Sequence, residues 1–97
     1  MVEIIFTFQV PDKRHTEFLH FIKTGTKPFW ESHGCLGYNV WQVPGENLFM
    51  KRMEFPDMAT LQKVVPAGEQ DPQGKALIAK FGSFVENLTR KTYVKLT

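Results

Sequence analysis

The stretch Gly34 to Pro56, GCLGYNVWQVPGENLFMKRMEFP, constrains the fold most. Two apolar-rich runs, Cys35–Val43 and Leu48–Phe55, flank the tetrapeptide Pro44-Gly45-Glu46-Asn47. Tyr, Val, Trp, Phe and Met suit a pleated, half-buried surface, and Pro-Gly followed by Asn is turn chemistry. The segment predicts a β-hairpin, and the other elements can be placed around it.

Residues Val2–Val10 alternate. Val2, Ile4, Phe6, Phe8 and Val10 form a wholly apolar face that must be buried against helices. Glu3, Ile5, Thr7 and Gln9 form a mixed face, suited to a partly polar cavity or a subunit interface. Pro11-Asp12 ends this strand and offers a helix cap. A helix is expected from about Lys13 to about Ser32, disturbed near Thr24–Lys27 because Pro28 lacks an N–H. Gly34 suits the left-handed position after that helix. Beyond the hairpin, Pro56-Asp57 repeats the strand-end and cap device, and a short helix is expected over Met58–Val65. Two prolines and a glycine in Pro66–Pro72 predict a loop. A second helix from about Gln73 to about Leu88 and a short strand over Lys91–Leu96 complete the chain. The order β-α-β-β-α-β is the ferredoxin-like arrangement, an α+β fold with a four-stranded antiparallel sheet.

Ninety-seven residues suffice for a single domain, residues 1–97, with one core. A chain this short that needs a cavity often builds it with a second copy of itself. The net charge of +2 and the scattered basic residues do not form the stripe that nucleic-acid binding requires. The lone Cys35 cannot form an intramolecular disulfide and reads as a small buried hydrophobe. There is no run of 18 apolar residues and the chain starts strand-like, so no membrane partner and a cytoplasmic location are expected.

The segment Pro28 to Val65 resembles the antibiotic-biosynthesis-monooxygenase-like family of the dimeric α+β barrel superfamily. The resemblance rests on Gly34-Cys35-Leu36-Gly37-Tyr38 at a strand start and, more loosely, on Ala59 and Leu61 early in the next helix. It implies a homodimer whose two sheets pair into a barrel, which would cover Ile5, Trp41, Phe49, Met53 and Phe55 as one otherwise exposed apolar patch. Haem-degrading members carry an Asn, a Glu-x-Trp and a His; the matching positions here are Ile5, Met53 with Phe55, and one near Val64. With that triad absent, the resemblance implies chemistry without haem, metal or flavin.

Asn39 and Trp41 are expected on the barrel face with Thr7, Gln9 and Lys51. An aromatic wall, an amide and a cation would bind a phenolate or enolate and stabilise its charge while oxygen attacks. Asn39, Trp41 and Lys51 are thus the candidate catalytic residues, with Ile5, Thr7, Gln9, Phe49, Met53, Phe55 and His33 lining the site of a small aromatic ligand. The plainer alternative makes Asn39 and Trp41 interface residues. His33 has a sufficient structural role at a helix C-terminus. His15 and His20 are five residues apart and fall on different helix faces, which is not metal-ligand spacing. Two functions stay open on these residues: a cofactor-independent oxygenase, or a non-catalytic small-molecule-binding or dimerisation module.

Overall fold

A computed structural model describes residues 1–97. Strand β1 (Val2–Gln9) is an inner strand, hydrogen-bonded antiparallel to β3 (Phe49–Phe55) and to β4 (Glu86–Val94). β2 (Gly37–Gln42) pairs with the outer side of β3, giving the order β2-β3-β1-β4. β2 and β4 are free edges, so the sheet is open and the expected barrel is not formed. The physical reason is strand number: a closed, side-chain-filled barrel takes about eight strands. What stands is an α+β fold with a four-stranded antiparallel sheet and helices on one face.

Helix α1 (His15–Phe21) and helix α2 (Lys27–Ser32) are one rod joined through a π-helical turn over Ile22–Thr26. The expected disturbance before Pro28 takes this form: a wider turn carries the missing donor without breaking the rod. Gly34 then reverses the chain with φ of 108°, and a Cβ there would lie 2.8 Å from Val64.

The second crossover differs from expectation. Helix α3 (Met58–Gln70) starts on the Asp57 cap, whose carboxylate accepts from the Thr60 amide at 2.7 Å, and runs through Pro66. Pro66 lies on the solvent side, where one lost backbone bond is tolerated. The chain then turns at a single residue. The Asp71 carboxylate accepts from the amides of Gln73 and Gly74, capping helix α4 (Pro72–Phe84) with Pro72 in its first turn. Two glycines permit this corner. A Cβ on Gly74 would lie 1.9 Å from the Gly68 carbonyl oxygen, and one on Gly68 would lie 2.4 Å from the Trp30 ring. The expected loop is therefore a tight helix–helix junction.

α4 stops at Phe84, short of Leu88, and β4 begins earlier than the expected Lys91. Asn87 takes φ of 54°, beside a bulge opposite Thr7 and Gln9, and Asn87 donates a side-chain hydrogen bond to Gln9. Polar Thr89, Arg90 and Lys91 fit an exposed edge strand rather than a buried one.

The core lies between helices and sheet. Val2, Ile4, Phe8 and Val10 are buried as the alternation demanded, and Phe18, Phe81 and Phe84 pack over them. Phe8 meets Phe81 edge-on at 5.4 Å, and Phe18 meets Phe84 edge-on at 5.5 Å.

Register corrects the hairpin assignment. Val43 donates to Leu48, and inward from that bond Gln42 pairs with Phe49, Val40 with Lys51 and Tyr38 with Met53. Phe49, Lys51, Met53 and Phe55 therefore face the helices with Tyr38 and Val40, opposite to Asn39 and Trp41. The cause is the four-residue turn: Val43 and Leu48 are partners, so odd positions on β2 share a face with even positions on β3.

Candidate functional site

Between the helix-facing side of the sheet and α3–α4 lies a cavity of about 280 Å³. Buried Thr26, Trp30, Tyr38, Lys51 and Met53 form its inner wall, while exposed Glu69, Ile78, Leu88 and Arg90 form its rim. Phe6 and Phe81 supply aromatic sides.

Lys51 is the unusual element. It sits in the apolar alternation of β3 and is only 6% exposed. Its ammonium lies 3.8 Å from the centre of the Phe6 ring, 4.1 Å from Phe81 and 5.1 Å from Tyr38. None of its neighbours is an ion-pairing carboxylate. Each cation–π contact is worth roughly 0.5–2 kcal/mol, against a burial cost of several kcal/mol for an unpaired ion. Desolvation therefore wins. Burial first, and then the charge of Arg90, push the Lys51 ammonium down to about 7.

Tyr38 and Thr26 are 0% and 2% exposed, and neither hydroxyl makes a hydrogen bond of ordinary geometry, although the two lie close enough for the Thr26 hydroxyl to act on the phenol. Buried polar groups are nearly always satisfied, so two orphans lining one cavity mark a place for a polar ligand atom or water. Burial pushes the Tyr38 phenol well up, with the neighbouring Thr26 hydroxyl acting in the opposite sense. The main chain of Tyr38 is held from both sides. Its amide donates to Glu31 at 3.0 Å, and its carbonyl accepts from Lys27 at 2.7 Å. Lys27 and Glu31, one helical turn apart and 3.1 Å from each other, thus clamp β2 to α2. The π-helical turn supplies Thr26 as its last residue.

The expected site residues are divided by the sheet. Lys51 and Met53 line the cavity, whereas Phe49 and Phe55 are buried on the same face away from it. Ile5, Thr7, Gln9, Asn39 and Trp41 lie on the opposite, helix-free face. There Thr7 bonds to Thr89, Gln9 to Asn87, and Asn39 accepts from Lys27 at 3.0 Å. Trp41 is 54% exposed. Arg52 on this face pairs with Glu54 at 2.8 Å and approaches Glu3 at 3.7 Å. His33 is exposed at the end of α2, stacked on Phe29 with Nδ1 2.7 Å from the Phe29 carbonyl oxygen. It caps a helix and is remote from the cavity lining.

Thr26, Trp30, Tyr38, Glu69 and Arg90 were not identified from the sequence as a group. The one signal was Lys51 itself, a cation in the run FMKRMEF whose neighbours alternate into a core. No group of three His, Cys, Asp or Glu side chains is arranged to hold a metal ion, and no helix is long and apolar enough to cross a membrane.

No protein-family model and no curated protein sequence matches the chain. Solved structures do. A variant of SnoaB, a cofactor-independent oxygenase from Streptomyces nogalater, superimposes with a TM-score of 0.81 at 11% identity, over 99% of this chain and 93% of that one. An uncharacterised NIPSNAP domain protein from Burkholderia xenovorans gives 0.77 at 14% identity, over 99% and 95%. An antibiotic biosynthesis monooxygenase gives 0.75 at 14% identity, over the whole of both chains. At such identities the likeness is one of fold, and at that level the chain is a distant, consistent structural match to the NIPSNAP and antibiotic-biosynthesis-monooxygenase-like proteins.

Proposed function

We propose that the chain is a small cofactor-independent oxygenase acting on a phenolic or enolisable molecule in the cavity between sheet and helices. The observation that carries this reading is Lys51, buried without an acid partner beside the orphaned hydroxyls of Tyr38 and Thr26. The fold shared with an oxygenase of the same description supports it.

Lys51 is the proton acceptor. A lysine poised near neutrality is a matched general base for an activated phenol or enol. Tyr38 and Thr26 donate hydrogen bonds to the resulting oxyanion from the buried inner wall, where apolar surroundings strengthen those bonds. Substrate carbon then forms a bond to dioxygen. The Lys51 proton passes to the terminal oxygen of the resulting peroxide; neutral Lys51 then takes the proton of that carbon as the O–O bond breaks, leaving a carbonyl on the substrate and hydroxide, which that proton converts to water. The substrate supplies the electrons.

1-Naphthol tests the scheme, since with one dioxygen it gives 1,4-naphthoquinone and one water. We expect quinone formation by the protein with 1-naphthol or 1,5-dihydroxynaphthalene, and its loss in Lys51→Met. Absence of dioxygen uptake with both compounds, or full activity in Lys51→Met, overturns the reading.

A second inference concerns assembly. The helix-free face presents Ile5, Trp41, Met50 and Tyr93 around the Glu3–Arg52–Glu54 ion pairs. A half-exposed Trp and Tyr on one sheet face suit an isologous contact with a second copy. We therefore read the protein as a homodimer with one cavity per subunit.

A further inference from the structure

Arg90 and Lys51 are register partners of the same residue. Phe6 pairs with Lys51 across β3 and with Arg90 across β4, so one cross-strand row reads Lys51–Phe6–Arg90 on the helix-facing side. Both cations approach the Phe6 ring, Lys51 at 3.8 Å and Arg90 at 5.6 Å from its centre. Neither forms an ion pair; Glu69, the one acid on the rim, is bridged to neither. Two like charges on one small cavity repel each other, and either loss of the Lys51 proton or an anion beside them relieves that repulsion.

The two cations are placed differently. Lys51 is on the buried inner wall with Tyr38 and Thr26, while Arg90 is exposed at the rim with Leu88 and Ile78. A guanidinium in that setting is suited to a carboxylate, which it can grip with two parallel N–H donors. The volume limits what lies between. A cavity of ~150 Å³ accommodates benzene, and drug-sized ligands occupy about 300–1,000 Å³. About 280 Å³ therefore matches a ligand of one or two fused rings.

We propose that the cavity selects small one- or two-ring hydroxylated aromatic acids, with the hydroxyl directed inward to Lys51, Tyr38 and Thr26 and the carboxylate held at the rim by Arg90. This rests on the reading of the cavity as the functional site and assigns the chemical class of its ligand. Arg90 is a specificity residue in it, remote from the reacting oxygen.

6-Hydroxy-2-naphthoate and its neutral carboxamide separate the possibilities, followed by naphthol fluorescence at low ionic strength. On the native protein the carboxylate is expected to bind at least ten-fold more tightly than the amide. In Arg90→Gln that preference should fall below about three-fold, and Arg90→Lys should restore part of it. Equal affinity for acid and amide, or a preference that survives Arg90→Gln, overturns the Arg90 assignment and leaves the cavity itself standing. Failure of both compounds to bind overturns the cavity reading as well. Circular dichroism of each variant shows whether an affinity loss is a folding loss.

Discussion

The Lys51 ammonium rests against the Phe6 ring at 3.8 Å with no carboxylate bridged to it. A buried cation supported by π faces alone costs stability, and its place in the otherwise core-facing alternation of FMKRMEF points to use. Three rings, from β1, β2 and α4, converge on this one nitrogen.

Replacing that cation by Met should raise stability while removing function. Met fills the same space, packs well on aromatic rings and needs no water. At pH 6 Lys51→Met is expected to be more stable by about 1–4 kcal/mol, in the manner of apolar replacements of buried ions. Urea unfolding of both proteins measures this; a variant destabilised at pH 6 would show that the charge contributes favourably.

The same group sets a pH dependence. The Lys51 pKa is depressed from 10.5 to about 7, so between those values the unfolded chain binds more protons than the folded one. Stability therefore rises with pH from about 7. Burial raises the Cys35 thiol from its ordinary 9.0, and Tyr38 is raised from 10.0, so these two oppose the trend at higher pH. The clean window is pH 7 to 9, where urea midpoints should climb in the native protein and stay flat in Lys51→Met.

Tyr38→Phe and Thr26→Val delete hydroxyls that make no hydrogen bond of ordinary geometry. Removing an unsatisfied buried polar group is neutral or stabilising, by up to about 1–3 kcal/mol. Ligand binding should weaken in both variants, most in Tyr38→Phe. Thermal unfolding and naphthol titration on the same samples separate the two effects, and a large stability loss would mean that the hydroxyls are satisfied internally.

The Asp71 corner depends on two glycines. Gly74→Ala places a methyl 1.9 Å from the Gly68 carbonyl oxygen, a backbone atom that cannot rotate away. A loss of about 2–4 kcal/mol is expected, at or above the usual range for overpacking. Gly82→Ala, where a Cβ meets nothing within 4 Å, serves as the control and should be neutral or stabilising. Chemical denaturation of both decides it.

Assembly is tested by light scattering coupled to size exclusion. The native protein should elute at twice its 11.2 kDa chain mass, and Trp41→Glu at the chain mass with unchanged circular dichroism. A native monomer would remove the inference from the helix-free face.

The elements were readable because local chemistry and burial agreed. The apolar face of Val2–Val10, the Asp57 cap and the positive φ of Gly34 follow from residue type alone. Pro66 misled, because a proline on the solvent side of a well-packed helix costs less than the tertiary contacts of Leu61 and Val65 return. β4 was half missed because an edge strand of Thr, Arg and Lys carries no apolar alternation. Lys51 and Met53 of the cavity lining were among the expected site residues, but their separation from Asn39 and Trp41 was not foreseen, for a reason the sequence did contain. Placing the turn at Pro44–Asn47 already pairs Val43 with Leu48, and that parity puts Lys51 beside Tyr38 instead of Asn39. Thr26, Arg90 and Glu69 could not be joined to them without the packing of helices on the sheet.

If Lys51 is the base that activates the substrate in this cavity, its titration governs the rate. Dioxygen uptake with 1-naphthol, measured as kcat/KM from pH 5.5 to 9, tests it most directly. The rate should climb through an apparent pKa near 7, and a Lys51→Met protein should show neither that limb nor that rate. A profile flat across pH 7, the same limb in Lys51→Met, or no uptake above the uncatalysed reaction at any pH would contradict it.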